Sequence, residues 1–393
     1  MSEMTAMTAM TAMTAMTAMT AMTGRSGSNL AGLTGLYGDG LVTDALLTSR
    51  ARNTPENPAL PTRTGSFKAG ALPLPAQAQH LAWWQPEVRG HLFGLELASG
   101  LTFQTDSAHD GSVTVTAVAA PLNEANLTAE QKAVLAAARQ LGVVTERRAA
   151  LVTLIRPNRK TVDAQLAKVI AHAESEWRRG RANEVVAQVL PQVPFWSSLV
   201  PLSPWRTPWS FELLGAALKF GNEVCHRLKH ELALPRPSEL SPFVQPILQT
   251  PGWAALPSGH ATEAFLFAGL ISRLMNLDFA GDTHMALQRQ ATSIADNRVW
   301  AGLHYPMDGI AGRLLGQTVA EYVVARCTGT PWTPRTFDGH HTDVAQADLE
   351  WSQTASEGAG CSQTGPSSGP PPSPILEYLW TRARIEFKDL GYE

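Results

Sequence analysis

Three short stretches of the chain hold residue types that could act together on an anion. The first is Lys229-His-Glu-Leu-Ala-Leu-Pro-Arg236-Pro237. Pro235 should end the helix carrying Lys229 near Leu234, because proline disfavours helical geometry in the residue before it, and Arg236 then falls on the following turn. Two cations would project from a helix end and its exit loop, although one Lys and one Arg by themselves also describe a solvated basic face. The second is Leu256-Pro257-Ser258-Gly259-His260-Ala261-Thr262. Ser258 suits an N-cap, and the free N–H groups of Gly259 and His260 would face whatever lies beyond the helix start, where the dipole favours negative charge. Glycine permits close approach there, yet an ordinary capped helix has the same sequence. The third runs from Asn297-Arg298 through His304 to Asp308, with five residues between Arg298 and His304 and three between His304 and Asp308. A helical i, i+4 pair lets the carboxylate accept a hydrogen bond from one ring nitrogen, leaving the other as a directed nucleophile or ligand. Taken singly, such a pair is more often structural than catalytic.

Together the blocks supply three cations, a hydroxyl, helix N-terminal amides and two histidines, which are the requirements of a tetrahedral oxyanion undergoing in-line substitution. In these residues the chain resembles the type 2 phosphatidic acid phosphatase and vanadium-dependent haloperoxidase superfamily. Its motifs are Lys, six residues, Arg-Pro; Pro-Ser-Gly-His; and Ser-Arg, five residues, His, three residues, Asp. One position departs, since Asn297 stands where the pattern has Ser, and Asn can still hydrogen-bond. The resemblance covers roughly residues 128–326. It implies that Lys229, Arg236, Ser258, Gly259 and Arg298 hold the equatorial oxygens of phosphate or vanadate, with His260 and His304 completing the cofactor-binding set. His304 would bond the central atom (the vanadium of vanadate), Asp308 would orient His304, and His260 would serve as acid/base.

The superfamily runs two chemistries on such a site. In a phosphatase His304 attacks phosphorus, His260 protonates the departing alcohol, and water releases the phosphohistidine. In a haloperoxidase His304 anchors vanadate, His260 assists entry of hydrogen peroxide, Lys229 polarises the peroxide for attack by halide, and a hypohalous species leaves. The compact spacing, 21 residues between Arg236 and Ser258 and 37 between His260 and Arg298, resembles the small phosphatases. Three features resemble instead the bacterial soluble haloperoxidase-like branch: no recognisable membrane or export segment, a helical extension over residues 128–193, and Trp253, placed where that branch carries an aromatic residue or His on the halide-facing side. Trp253 reads equally well as a core residue. The resulting expectation is a vanadate-dependent haloperoxidase, with phosphate competing for the cofactor site and with hydrogen peroxide, halide and a small organic acceptor as partners. The alternative is an acid-phosphatase-like phosphomonoesterase that needs no cofactor. His226 and His230 flank Lys229 and read as surface or packing residues.

The elements that must position these groups are mainly helical. Of 393 residues, 44% are hydrophobic and 17% charged, so the chain can bury a large core under a thin charged surface. Helices are expected at residues 209–234, 260–277, 284–302 and 306–326, the second apolar nearly all round, as in the centre of a bundle. A further helical stripe joins Leu166, Val169, Ile170, Ala173 and Trp177, with Thr161 as its cap. Alternation at Phe93-Leu95-Leu97, Leu101-Phe103-Thr105 and Val113-Val115-Ala117 suggests a small antiparallel meander.

The fold expected is thus a mainly α, helical bundle core with a small antiparallel β meander near the N-terminus and disordered tails. Its divisions are a low-complexity repeat at 1–23, an extended wrap with the meander at 24–127, a helical catalytic domain at 128–330, and a linker with a short C-terminal helix at 331–393. Cys225, Cys327 and Cys361 are too scattered for a disulfide framework or zinc site. A net charge of -3 gives no global field for nucleic acid, and no run nears the ~20 apolar residues needed to span a bilayer. A soluble, cytoplasmic protein, able to form a homo-oligomer, follows. Met-Thr-Ala recurs six times over residues 4–21, and neither this repeat nor the segment 356–374, where nine of nineteen residues are Gly or Pro, can bury enough apolar surface to offset its ordering entropy. Removal of residues 1–23 should leave the thermal melting curve and turnover unchanged; a loss of either would assign the repeat a structural role.

Overall fold

A helix stands where alternation suggested a strand. Pro86 at the first helical position opens α1 (Pro86–Ala98), whose buried residues Pro86, Arg89, Phe93 and Leu97 recur at intervals of three and four. Leu95, midway between Phe93 and Leu97, is 66% exposed, so the apparent period of two was one helical face interrupted by an apolar residue on the other. The structure, a computed structural model, describes residues 78–106, 111–120, 128–140, 147–189, 192–349, 358–367 and 369–392. The expected repeat, and the wrap up to residue 77, lie outside them.

β1 (Leu101–Asp106) and β2 (Ser112–Val118) pair antiparallel, as the alternation predicts. After α2 (Ala129–Gln140) the expectation of continuous helix fails, because Arg148–Ile155 forms β3, antiparallel to β2. Three of the five residues in its run Leu-Val-Thr-Leu-Ile are β-branched and the run is largely buried, which suits a sheet interior better than a helix. In α3 (Arg159–Glu174) the cap is Asn158, whose side chain accepts from the Thr161 N–H, so Thr161 is a buried first-turn residue and not the cap. The chain turns extended at Ser175, which caps α4 (Glu176–Ala187). Trp177 is therefore on a separate helix and 71% exposed, off the stripe it seemed to continue.

After the short α5 (Val193–Ser197) come the helices that carry the three blocks: α6 (Pro208–Leu232), the short α7 (Pro237–Leu240), α8 (Gly259–Leu274), α9 (Asp282–Trp300) and α10 (Pro306–Thr328). The four long ones stand where the sequence predicts them. α8 lies at the centre, packed against α6, α9 and α10. α10 approaches it at backbone distance, for a Cβ at Gly316 would sit 2.4 Å from the Thr262 carbonyl and one at Gly312 would sit 2.7 Å from the Ser258 carbonyl. These two glycines bring the start of α10 against the start of α8, where the Ser258 N–H donates to the Asp308 carbonyl at 2.9 Å.

The remainder is β4 (Arg335–Asp338), α11 (Thr342–Gln346), β5 (Cys361–Gln363) and α12 (Pro374–Asp389). The sheet is five-stranded, in the order β1-β2-β3-β4-β5, with β3 and β4 parallel and the other pairs antiparallel. It is thus no N-terminal meander, since it recruits strands from both sides of the helical body. Nor does the C-terminal segment behave as a disordered tail. Within the expected linker β5 pairs with β4, and α12 buries Leu376, Leu379, Ala383 and Phe387 in the main core. Glu386 of α12 also accepts from the Trp209 and Ser210 N–H groups at 2.7 and 2.9 Å. It supplies the N-terminal carboxylate that α6 lacks locally, since Thr207 makes no side-chain cap. Phe387→Ala should therefore lower unfolding free energy by about 3–5 kcal/mol in urea denaturation, where a disordered tail would show no change.

Candidate oxyanion site

Three cations meet near the starts of α8 and α10, and each is withdrawn from water. Lys229, in the last turn of α6, is 2% exposed. Its Nζ donates to the Ala254 and Ala255 carbonyls at 2.9 and 2.8 Å, spending two of three N–H bonds. The left-handed Ala233 ends α6 just before Pro235, and Arg236 follows as the residue leading into α7. Its Nε donates to the Trp253 carbonyl at 2.7 Å and its Nη1 to the Leu303 carbonyl at 2.9 Å. Arg298, in the last turn of α9, donates through Nη2 to the Val185 carbonyl at 2.8 Å, while its buried Nε and Nη1 have no protein partner. Burial pushes Lys229 down to about 8 and Arg298 down to about 10, and it lowers Arg236 as well. An anion among them would offset that cost.

Ser258 caps α8, accepting from the Ala261 N–H at 3.4 Å. Beside it, a Cβ built on Gly259 would meet nothing within 4 Å, so the start of α8 leaves room on that side. His304 and Asp308 are not two residues of one helix. His304 sits in the turn before α10, whereas Asp308 is its third residue and closes a capping box on Tyr305, accepting from the Tyr305 N–H at 3.0 Å. The same oxygen lies 2.9 Å from His304 Nδ1. With the proton on Nδ1 shared with Asp308, the Nε2 lone pair is left as an acceptor, and it takes a bond from Arg236 Nη1 at 3.4 Å. Burial, then the surrounding guanidiniums and Lys229, hold the His304 pKa well below its usual range. Burial lifts Asp308 to about 7, against the opposing pull of the Tyr305 N–H, Lys229 and Arg236. His260, in the first turn of α8, is pushed down to about 3 by burial and by the Arg298 guanidinium.

The structure thus brings Lys229, Arg236, Ser258, Gly259, His260, Arg298, His304 and Asp308 to one place. Trp253 stands at the rim, 37% exposed and edge-on to His226 with ring centroids 5.5 Å apart; its part in Arg236 placement comes from its backbone. His226 and His230 are exposed. Asn297 is fully buried and bonds to Gln188 Oε1 at 2.8 Å and Arg181 Nη1 at 3.2 Å. Sequence reasoning missed Glu263, one turn after Gly259, which lies near Asn222, Arg298 and Lys229; burial lifts it to about 7. The signal was legible, because a carboxylate interrupts an otherwise apolar helix. Among the described residues no group of three or more His, Cys, Asp or Glu is placed to hold a metal cation, and no helix is long and apolar enough to cross a membrane.

Residues 212–330 match the family model described as the PAP2 superfamily. The vanadium-dependent bromoperoxidase of Ascophyllum nodosum is 30% identical over 94 residues, 18% of this chain. The match spans only 17% of that relative's length. A solved structure described as the first bacterial vanadium-dependent iodoperoxidase aligns with 53% of this chain and 50% of its own, at 16% identity and a TM-score of 0.28.

The raised Glu263 pKa makes folding depend on pH. A carboxyl with a folded pKa near 7 and an unfolded value of about 4.3 binds more protons folded than unfolded between those values, so its share of stability falls as pH rises through that window. The advantage in melting temperature of Glu263→Gln over the parent chain should therefore grow from about pH 4.5 to about pH 7 and level off above. A difference that does not change with pH would place the carboxylate in solvent.

Proposed function

Because residues 212–330 belong to the PAP2 superfamily, we propose that the site holds a tetrahedral oxyanion and that the chain is a vanadate-dependent haloperoxidase, oxidising halide with hydrogen peroxide. The observation that carries the reading is the pair of buried, unspent donors on Arg298, together with the room left at Gly259. Buried guanidinium N–H groups without a partner are costly, and an oxyanion is the ligand whose acceptors satisfy several at once. Vanadate fits this donor set: Lys229, Arg236, Arg298, Ser258 and Gly259 would hold its oxygens, and His304 would bind the metal through Nε2. When bound, vanadate supplies a Lewis acid that activates peroxide toward halide.

The chain's own residues do the rest. Asp308 holds His304 in the Nδ1–H tautomer, so its other nitrogen is always presented as a donor of electrons. His260 takes and returns the peroxide proton. The negative charge of a bound oxyanion offsets Arg298 and raises the His260 pKa toward the working range. Lys229, already down to about 8, delivers its remaining N–H to developing negative charge. Similarity to a bromoperoxidase over 94 residues supports this chemistry.

The alternative is a phosphomonoesterase, favoured by the unprotonated Nε2 of His304, which also suits in-line attack on phosphorus once Arg236 turns its N–H to the incoming anion. There the P–O bond to the alcohol breaks as His260 protonates the leaving oxygen, and water deprotonated by His260 then displaces His304 from phosphorus. Protein purified without phosphate and supplied with orthovanadate, hydrogen peroxide and bromide or iodide should halogenate a phenol or diketone indicator, with orthophosphate competing. His304→Ala should lose attachment of the anion. His260→Ala should keep anion binding and lose about 10²- to 10⁴-fold in turnover, and Trp253→Ala should weaken halide dependence more than vanadate binding. Phosphomonoester turnover with no halide oxidation at any vanadate concentration would replace the leading reading with the alternative.

A further inference from the structure

The orientation of His304 hangs on one oxygen. Asp308 Oδ2 accepts from the Tyr305 N–H at 3.0 Å and lies 2.9 Å from His304 Nδ1, while the buried Asp308 Oδ1 has no hydrogen-bond partner among the described residues. The place of that carboxylate therefore follows the backbone in the first turn of α10. Part of the hold on this turn comes from within the family-matched segment 212–330: the Ser258 N–H donates to the Asp308 carbonyl at 2.9 Å, and the Tyr305 hydroxyl donates to the Pro235 carbonyl at 3.2 Å. Another part comes from outside it, where the Met307 N–H donates to Gln165 Oε1, on α3, at 3.0 Å. That N–H lacks a local acceptor. Pro306 has none to offer, the Asp308 N–H turns back to the Tyr305 carbonyl at 3.0 Å, and Tyr305 stands at the cap where a Ser or Asp would serve the first turn.

Gln165 is fully buried, and its Nε2 donates to the Val344 and Ala347 carbonyls at 2.8 and 2.7 Å, at the end of α11 and just past it. One carboxamide thus closes the start of one helix and the end of another. Only one orientation of the amide does so, because the reverse would set its oxygen against two carbonyls. We propose that Gln165 is a positioning residue of the oxyanion site: through the Met307 N–H it holds the turn that places Asp308, and through Asp308 the His304 ring. The inference rests on the reading of His304 as the group that meets the central atom of the anion. The part played by Gln165 is indirect, carried by the backbone at the start of α10.

The test compares variants of the intact chain. Gln165→Met keeps length and volume and removes the bonds to Met307, Val344 and Ala347. Gln165→Glu keeps an oxygen for the Met307 N–H, ionised or not, while giving up the amide that holds α11. The quantities read are the ¹⁵N chemical shifts of the His304 ring, without any anion, and orthovanadate affinity by calorimetry. Gln165→Met should move the ring nitrogens away from their parental values and weaken orthovanadate binding about 10- to 100-fold, the usual consequence of losing a residue that orients a ligand. Gln165→Glu should melt at a lower temperature yet keep ring shifts and affinity near those of the parent chain. Should Gln165→Met fold poorly, Gln165→Asn, with a side chain too short to reach Met307, makes the cut in its place. Parental ring shifts in a folded Gln165→Met or Gln165→Asn chain would leave Gln165 with packing alone and overturn the proposal. So would a Gln165→Glu chain as impaired as Gln165→Met, which would assign the effect to α11. The ring shifts need neither vanadate nor turnover, so they judge the hold on His304 even if the parent chain fails to bind orthovanadate, a result that would count against the oxyanion reading instead.

Discussion

Backbone carbonyls donated to by buried cations are the interaction on which this architecture depends. Lys229, Arg236 and Arg298 are each at most 2% exposed, and a buried cation is tolerated only when its N–H groups are bonded. The acceptors are the carbonyls of Trp253, Ala254, Ala255, Leu303 and Val185, all from loops, turns and a helix end. Carbonyls so placed cannot drift without stranding a charge. The same bonds that make burial bearable therefore fix the non-helical backbone around the site, and they do so while leaving some donors of each cation free to face an anion. Rigidity of the loops and readiness of the charges have one cause.

The second constraint is the approach of α8 and α10. Gly312 and Gly316 remove the side chains that would hold the helices apart, and the Ser258–Asp308 backbone bond joins the two helix starts. Those starts carry different tools: first-turn amides and His260 on one, the His304–Asp308 pair on the other. Their spacing is set by backbone contact, which has little room for relaxation.

The long helices α6, α8, α9 and α10 were legible because each is a long helix-compatible run opened by Pro, Ser or Gly, and the three blocks were legible because their residues are chemically costly and closely spaced. What escaped had other causes. Phe93 and Leu97 share a face four residues apart, yet Leu95 between them mimicked a strand. β3 was hidden because its identity as a strand depends on β2 and β4, the latter far away in sequence. Val185 was invisible because its contact with Arg298 is made by a carbonyl, which every residue type possesses, and Glu386 because it caps a helix that begins at Pro208. Side-chain chemistry can be read along the chain; backbone acceptors and distant strand partners cannot.

The parallel pairing of β3 with β4, Val152 opposite Arg335, bears on how the chain is made. During synthesis β3 can add to β2 as soon as both have left the ribosome, but its other edge waits until every helix carrying the three blocks has emerged. At ordinary elongation speeds of about 5–20 residues per second, that edge stays open for roughly ten seconds or more. An exposed strand edge invites pairing with other chains. The nascent protein therefore passes through a period in which its sheet is the part most in need of shelter, and arrival of β4 ends that period by tying the two flanks of the helical body together.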